Sequence, residues 1–565
     1  HQTLAAVASD ARVQVEVSGP GAFAVLMRER TQSEATRLSL AAGVLLLVLL
    51  TLAYRGLALP LLGVLPLATA ALAGMATVAA LFGSVHGITL AFGFTLIGVA
   101  LDYPVHLFSH HRPQRTAQHT ARAIWPTLAA GAVSTCLAYL SFFASGVEGL
   151  SQLAAFALAG LLAAALCTRF LLPALLPAAA RDLAMAPLPA FLDRRLDAAR
   201  LPAIAAVLLA LLAAAWLALS PRPLWDDNLA NLTPVPKALL ARDGELRAAL
   251  GASDVRHVLV LEAADSETLL QRCEALLPAL DALVEQGVVS GVEPPCRYLP
   301  SQRTQRARQA HLPDAETLAA DLHAASAGLP FRDGAFAPFL DDVEAARRLA
   351  PLVWNDLESS ALGPRLAALL PRDATTPTAL IGLAEVADPR VLLDFAAQHG
   401  EDLHLLDMKA ASEALASAYR ERVLLALLLA LAVMALALLA FLRRPRRVLR
   451  VLSPVLLAAL LVAAVLNALG VAFNLFHVVA LILASGLGLD YALFFERARA
   501  EAAERRRTLH GIAVCALSTA LVFGLLASSG IPVLRAIGLT VCCGVAFNFV
   551  LAALLARSRP EHARP

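Results

Sequence analysis

An aspartate followed by a tyrosine, Asp102-Tyr103, lies inside an apolar run long enough to cross a bilayer, and the pair recurs as Asp490-Tyr491. Each closes a G-x-x-x-D-Y stretch, one from Gly98 and the other from Gly486. An ionised carboxylate at the centre of a span costs roughly 2.5–3.5 kcal/mol on insertion scales, so such groups are seldom kept without a task. A structural role, as a polar contact or a buried ion pair, would have to be met at matching positions of two halves. The chemistry open to a carboxyl in that setting is proton loading and release. Low dielectric favours its protonated form and donor hydrogen bonds favour its ionised form, so a site can be poised between the two. One proton crossing the membrane contributes about 2.3 kcal/mol per 100 mV, and a few can drive a conformational cycle.

Residues around the pairs extend this chemistry. Tyr103 and Tyr491 either pack or bond a carboxylate; their repeated adjacency to Asp favours a hydrogen bond, to the carboxylate of the opposite half. Gly98 and Gly486 lie one turn earlier on the face of the aspartates, where small residues let helices approach closely. Two such helices meeting at a common axis would bring both carboxylates to one interface. Ser134-Thr135 and Ser518-Thr519 either bond the carbonyl one turn back or line a proton path. His106 shares the Asp102 face, but Phe494 holds the equivalent position, so His106 reads as a modifier of one half or a cytoplasmic-end residue before an essential relay member. Pro104 stands against Ala492 and would kink only the first copy.

These motifs need membrane helices to position them, and the composition supplies them. The 565 residues are 59% hydrophobic and 16% charged, against about 25% charged in soluble domains. Apolar runs of about 18–25 residues, enough to span, centre on 38–54, 57–81, 87–108, 124–144, 150–177 and 201–220. Others follow at 423–442, 448–470, 474–495, 511–529 and 534–556, eleven in all. Basic residues collect on one side, at Arg55, Arg112, Arg115, 181–200, 443–447, 497–507, Arg557 and Arg559. The loops at 83–87, 146–149 and 529–532 carry almost none, so the basic side is expected to be cytoplasmic.

The internal repeat organises the chain. Asp102 and Asp490 are 388 residues apart, and Ser134 and Ser518 are 384 apart. Both halves would have the same orientation, related by a pseudo-two-fold axis along the membrane normal. With eleven spans and an internal C-terminus, residue 1 falls outside. The repeat therefore predicts that one span and most of an external domain, roughly 180–220 residues, precede it. The expected fold is a polytopic α-helical membrane protein of two parallel six-helix halves, the first span missing, with an α/β external domain. Its segments are 1–36, the end of a first external domain; 37–178, spans of the first half; and 179–200, an amphipathic cytoplasmic linker. Then come 201–220, the first span of the second half; 221–420, the second external domain; 421–557, the remaining spans; and 558–565, a cytoplasmic tail. Strands are expected at 13–17, 257–261, 287–292, 380–386 and 403–406, with helices at 266–285, 390–399 and from the last strand into the next span.

Of seven cysteines, Cys273 and Cys296 alone fall in 221–420, either as a disulfide or as two free thiols. No metal site, cofactor motif, nucleotide-binding loop, nucleophile elbow or nucleic-acid module is legible. With no phosphate-binding loop there is no sign of direct ATP use, and the net charge of +2 says nothing for nucleic acid.

At the paired Gly98 to Tyr103 and Gly486 to Tyr491 motifs, with this topology and repeat, the chain resembles the RND superfamily, specifically its MMPL-type, hopanoid- or lipid-exporter-like members. The resemblance implies a proton-antiporting secondary active transporter of the bacterial inner membrane, not an enzyme, with a periplasmic domain. Its substrates would be lipids or lipid-linked hydrophobic molecules. Asp102, Tyr103, Asp490 and Tyr491 would be the proton relay, and a second copy or a periplasmic lipid acceptor a partner. Two alternatives stay open: a SecDF-like proton-driven accessory to protein export, and a sterol- or lipid-sensing relative without net flux.

Overall fold

In a bilayer every backbone polar group must find its partner within the segment, which makes long apolar runs helices. The computed structural model describes residues 16–85, 89, 99–113, 115–178, 181–198, 203–233, 235–249, 254–332, 334–372, 376–498 and 501–556. Nine helices among the described residues are long and apolar enough to cross a membrane. The helices of the first half are α1 (Pro20–Tyr54), α2 (Ala58–Phe82), α3 (Asp102–His110), α4 (Ala117–Leu140) and α5 (Glu148–Leu166). A linker helix α6 (Pro187–Ala198) and the 17-residue apolar α7 (Ala203–Leu219) follow. The stretch 90–98 ahead of α3, and with it Gly98, lies outside the described residues.

Two differences from the sequence reading concern α1. The end of an external domain expected at 1–36 and the span expected at 38–54 run together from Pro20 as one 35-residue helix. Of the strand expected at 13–17, Glu16 and Val17 carry no regular structure, and 13–15 lie outside the described residues. Arg55 ends α1 in a left-handed conformation at φ 52, and Arg443, 388 residues later, does the same at φ 53.

Residues up to Val235 and from Glu413 onward form one compact unit, and Pro236–Ser412 a second. This second unit is narrower than the expected 221–420. Residues near 225 belong with the helices because Trp225 packs edge-on against Phe473, and Asp226 donates its backbone N–H to the Phe473 carbonyl at 2.7 Å.

The second unit holds β1 (Asp254–Glu262), β2 (Gly291–Glu293), β3 (Thr378–Ala384) and β4 (Leu403–Asp407), with α8 (Ser266–Glu285) and α9 (Pro389–Gln398). The sheet is antiparallel in the order β2-β3-β1-β4. Two β-α-β units interleaved in this way make the split βαβ, ferredoxin-like arrangement. Leu259, Leu261, Ile381 and Leu383 alternate onto the buried face, where Leu269, Cys273, Leu276, Leu280 and Leu283 of α8 form a helical stripe. Gly287, at φ +69, closes α8 and delays β2 to 291. Glu385, at φ 45, ends β3 at Ala384 rather than 386. The region 294–375, unordered from sequence, contains helices at Gln302–Ala310, Ala315–Ser326, Ala337–Ala346 and Gly363–Leu369. A disulfide joins Cys273 to Cys296 across a Cα–Cα distance of 6.0 Å.

The chain continues from β4 into α10 (Met408–Leu442), followed in the first unit by α11 (Pro445–Ala468), α12 (Leu475–Arg497), α13 (Ala502–Ala527) and α14 (Pro532–Leu551). The motif helices do not pack chiefly on each other: α3 lies on α13, and α12 lies on α4. Each Asp-Tyr helix is thus seated against the Ser-Thr helix of the opposite half.

Candidate functional site

Asp102 opens α3 and Asp490 sits deep in α12; they are 1% and 7% exposed. Tyr103 and Tyr491 are buried beside them. Gly131 of α4 faces Asp490, and a Cβ there would collide with the carboxylate. Its counterpart 384 residues on, Cys515 of α13, faces Asp102, with Sγ 3.9 Å from the Asp102 carbonyl oxygen. The two carboxyls remain within electrostatic reach of each other, and each motif helix also packs on the Ser-Thr helix of the opposite half. A Cβ at Gly131 would fall on the Asp490 carboxylate, whereas Cys515 meets Asp102 at its backbone carbonyl.

The two halves still touch at equivalent positions. His106 stacks on Phe494 with ring centroids 3.8 Å apart and planes within 5°. Gly486 brings α12 close to α4, where its Cβ would lie 3.1 Å from Thr135 Cγ2. Another close approach was missed from sequence: Gly488 lies against Asn548 of α14, whose Nδ2 donates to the Ala484 carbonyl at 3.0 Å. A buried Asn in an apolar run was its available signal.

The hydrogen bonds expected between tyrosines and opposite carboxylates are not formed. Among the described residues both Asp102 carboxyl oxygens, Asp490 Oδ1, the Tyr103 and Tyr491 hydroxyls, and the Thr135 and Thr519 hydroxyls have no hydrogen-bond partner. Tyr103 is nevertheless within electrostatic reach of Asp490, and Tyr491 of Asp102, a crosswise pairing. Ser518 donates to the Cys515 carbonyl at 2.9 Å, and Ser134 is buried. Leaving a buried polar group unpaired costs about 1–3 kcal/mol. Seven such atoms lie around the two carboxyls among the described residues.

Other contacts bind the halves together. Glu34 of α1 accepts from the Ser529 hydroxyl and the Gly530 N–H, both at 2.6 Å. At the equivalent corner Gly146 meets Arg422 and Tyr419 of α10. Toward the basic-loop ends, Arg507 of α13 grips Asp182 at 2.9 and 2.6 Å, and Arg505 and Arg506 reach Asp193 of α6. The Arg507 guanidinium holds the Asp182 carboxyl below its ordinary range. Thus the amphipathic linker docks on α13 through ion pairs. A cavity of about 500 Å³ lies beside it, lined by Tyr54, Arg55, Phe108, His111, Arg181 and Asp182 among others. Among the described residues no cluster of three or more His, Cys, Asp and Glu side chains is arranged to hold a metal.

Residues 1–206 match the MMPL family, and residues 392–557 match the C-terminal region of the protein export membrane protein SecD/SecF. No curated protein sequence matches the chain. Among solved structures it is similar to SecDF, a translocon-associated membrane protein from Thermus thermophilus, at 16% identity and a TM-score of 0.50 over 93% of this chain. It is also similar to a heavy metal efflux pump, at 13% identity and a TM-score of 0.54 over 94% of this chain. It covers 61% of the first of those chains and 68% of the second. At these identities the likeness is one of fold.

Proposed function

We propose that this chain, whose residues 1–206 match the MMPL family, is an RND/MMPL-type membrane transporter that exports lipids or lipid-linked hydrophobic molecules in exchange for protons. The observation that carries the reading is the reciprocal seating of two buried carboxyls. Asp490 is lodged against Gly131 and Asp102 beside Cys515; among the described residues Asp490 Oδ1 and both Asp102 carboxyl oxygens have no hydrogen-bond partner. A carboxyl that gains or loses a proton in such a place changes charge where the other half's helix is closest. The fit of α12 on α4, or of α3 on α13, then depends on protonation, and a packed interface answers such a change by switching between discrete arrangements. Tyr103 and Tyr491, each near the opposite carboxyl, are positioned to complete hydrogen bonds in the alternate arrangement. Ser134, Thr135, Ser518 and Thr519 line the same layer.

A hydrophobic substrate is supported by a cavity of about 530 Å³ in the second unit, lined by Leu269, Leu270, Leu299, Leu352, Trp354 and Arg372 among others. The distribution of basic loops supports reading this unit as extracytoplasmic, which for a bacterial inner-membrane protein is the periplasm. The SecD/SecF match over residues 392–557 favours a second reading, a proton-driven accessory to protein export.

One experiment addresses both. The protein is reconstituted in liposomes under an imposed pH gradient and supplied with fluorescent phospholipid, and separately with translocon and a labelled preprotein. Gradient-dependent lipid movement that a protonophore abolishes is the expected result. Stimulated preprotein translocation without lipid movement would transfer the assignment to the second reading. Lipid binding without flux would remove transport altogether.

A further inference from the structure

The relay proposed above leaves one row of buried groups unused. Asp102, His106 and His110 follow at intervals of four on α3, so they share one face of the helix. They lie at 1%, 2% and 7% exposure, and the row ends at Glu504 of α13, whose side chain is 32% exposed. The ring centroids of His106 and His110 are 6.4 Å apart. His110 Nδ1 lies 2.8 Å from the His106 carbonyl oxygen, so it carries the hydrogen and leaves Nε2 as the basic nitrogen. That Nε2 is 3.2 Å from Thr508 Oγ1 and 3.6 Å from Glu504 Oε1. Both ring nitrogens of His106 lack a hydrogen-bond partner among the described residues. Its ring is held flat between Phe494 and the backbone at Gly511, where a Cβ would lie 3.0 Å from Nδ1.

The second half has no equivalent row. The positions one and two turns beyond Asp490 are Phe494 and Ala498. The row also ends on the side of the basic loops, beside Arg507 and the Asp182 linker.

We propose that His106, His110 and Glu504 form a one-sided proton wire joining the buried Asp102 carboxyl to the cytoplasmic face. The inference rests on the relay reading. In the step, the Asp102 carboxylic acid gives its proton, through a bridging water across the helical turn between them, to a His106 ring nitrogen and becomes a carboxylate. The imidazolium gives up a proton to His110 Nε2, across a gap that one water or a ring rotation bridges, and returns to neutral. His110 passes it from Nε2 to Glu504, which exchanges with solvent. Among the described residues Asp490 has no such outlet, and it communicates with the cytoplasm through Asp102, which lies within electrostatic reach. His106 is thereby a proton-conducting residue of the first half, a larger role than its unmatched position in the repeat suggested.

The test measures proton influx into proteoliposomes with an internal pH dye. His106→Phe places at 106 the residue that the second half carries at 494, so the variant should insert normally. It is expected to lower gradient-driven proton influx at least tenfold. His106→Ala is expected to be equally slow, and added imidazole, titrated to saturation, should restore influx several-fold, while leaving wild type unchanged. A purely structural His106 would not respond to imidazole. His106→Phe retaining half or more of the wild-type influx would overturn the wire, as would a slow His106→Ala that imidazole leaves slow. Asp102→Asn separates the two levels. If Asp102→Asn is inactive and His106→Phe active, the wire alone fails; if Asp102→Asn is active, the relay reading fails with it.

Discussion

Replacing Gly131 by Ala adds one methyl group at the point where α4 meets Asp490. The added Cβ has no free space, since it would fall on the Asp490 carboxylate, a short side chain that is 7% exposed. Either the carboxyl rotates away or α4 and α12 separate. Inserting a methyl into a packed core costs about 1–3 kcal/mol, and each 1.36 kcal/mol is about tenfold in a rate or population. With the strain confined to the arrangement in which Asp490 rests on Gly131, Gly131→Ala should depopulate that arrangement about fivefold to a hundredfold. The fall should appear in the rate of gradient-driven lipid movement, measured in proteoliposomes at equal protein content. Gly43→Ala in α1 is the control. A Cβ at Gly43 meets nothing within 4 Å, and Ala is favoured over Gly in a helix by about 1 kcal/mol, so transport should be unchanged. A Gly131→Ala protein that transports within twofold of wild type would refute the close seating of Asp490 on α4.

Three further outcomes follow from contacts away from the carboxyls. Removing the Cys273–Cys296 disulfide as the double Ser variant opens a 23-residue separation and should cost the second unit about 3 kcal/mol, read as a shift in its denaturant midpoint. Glu496, with a side chain 1% exposed, is held by Arg447, so Arg447→Ala should cost about 3–5 kcal/mol in thermal unfolding, with most recovered in Arg447→Met/Glu496→Gln. The depressed Asp182 carboxyl contributes docking strength that is fully present above the ordinary carboxylate value of about 4 and lost as pH falls below it. Hydrogen-exchange protection of residues 183–198, corrected for intrinsic rates, should therefore hold at neutral pH, fall below about pH 4, and be weakened at every pH in Asp182→Asn.

Much of the helical framework was legible because apolar length and charge-free composition leave few alternatives in a membrane. The helix Ser266–Glu285 was equally plain, since its leucine stripe and the Asp265 cap, which accepts from the Thr268 N–H at 2.9 Å, agree. Strand ends were less so: Gly287 and Glu385, both at positive φ, set boundaries that alternation alone does not carry. The helices between 294 and 375 are short, and none of Gln302–Ala310, Ala315–Ser326 or Ala337–Ala346 has a buried residue, so no apolar period marks them.

At the site, the aspartates and tyrosines announced themselves through the cost of burying them, but their neighbours did not. Gly131 and Cys515 are ordinary small residues in a span until tertiary packing sets each against an aspartate. His106 seemed unmatched because Phe494 holds its place in the repeat, and the two prove to stack on one another. His110 and Glu504, separated by 394 residues in sequence, meet only because α3 lies on α13. Local pattern finds the costly residues; which helix each one faces is decided by where small residues allow close approach.

The most direct test of proton-driven export is lipid movement and proton influx recorded together in proteoliposomes of Asp102→Asn and Asp490→Asn, with insertion verified for each. Loss of both fluxes in each single variant, with the lipid flux of wild type rising with the imposed pH gradient, is the predicted result. Gradient-driven lipid movement at wild-type rate in either variant would contradict the account.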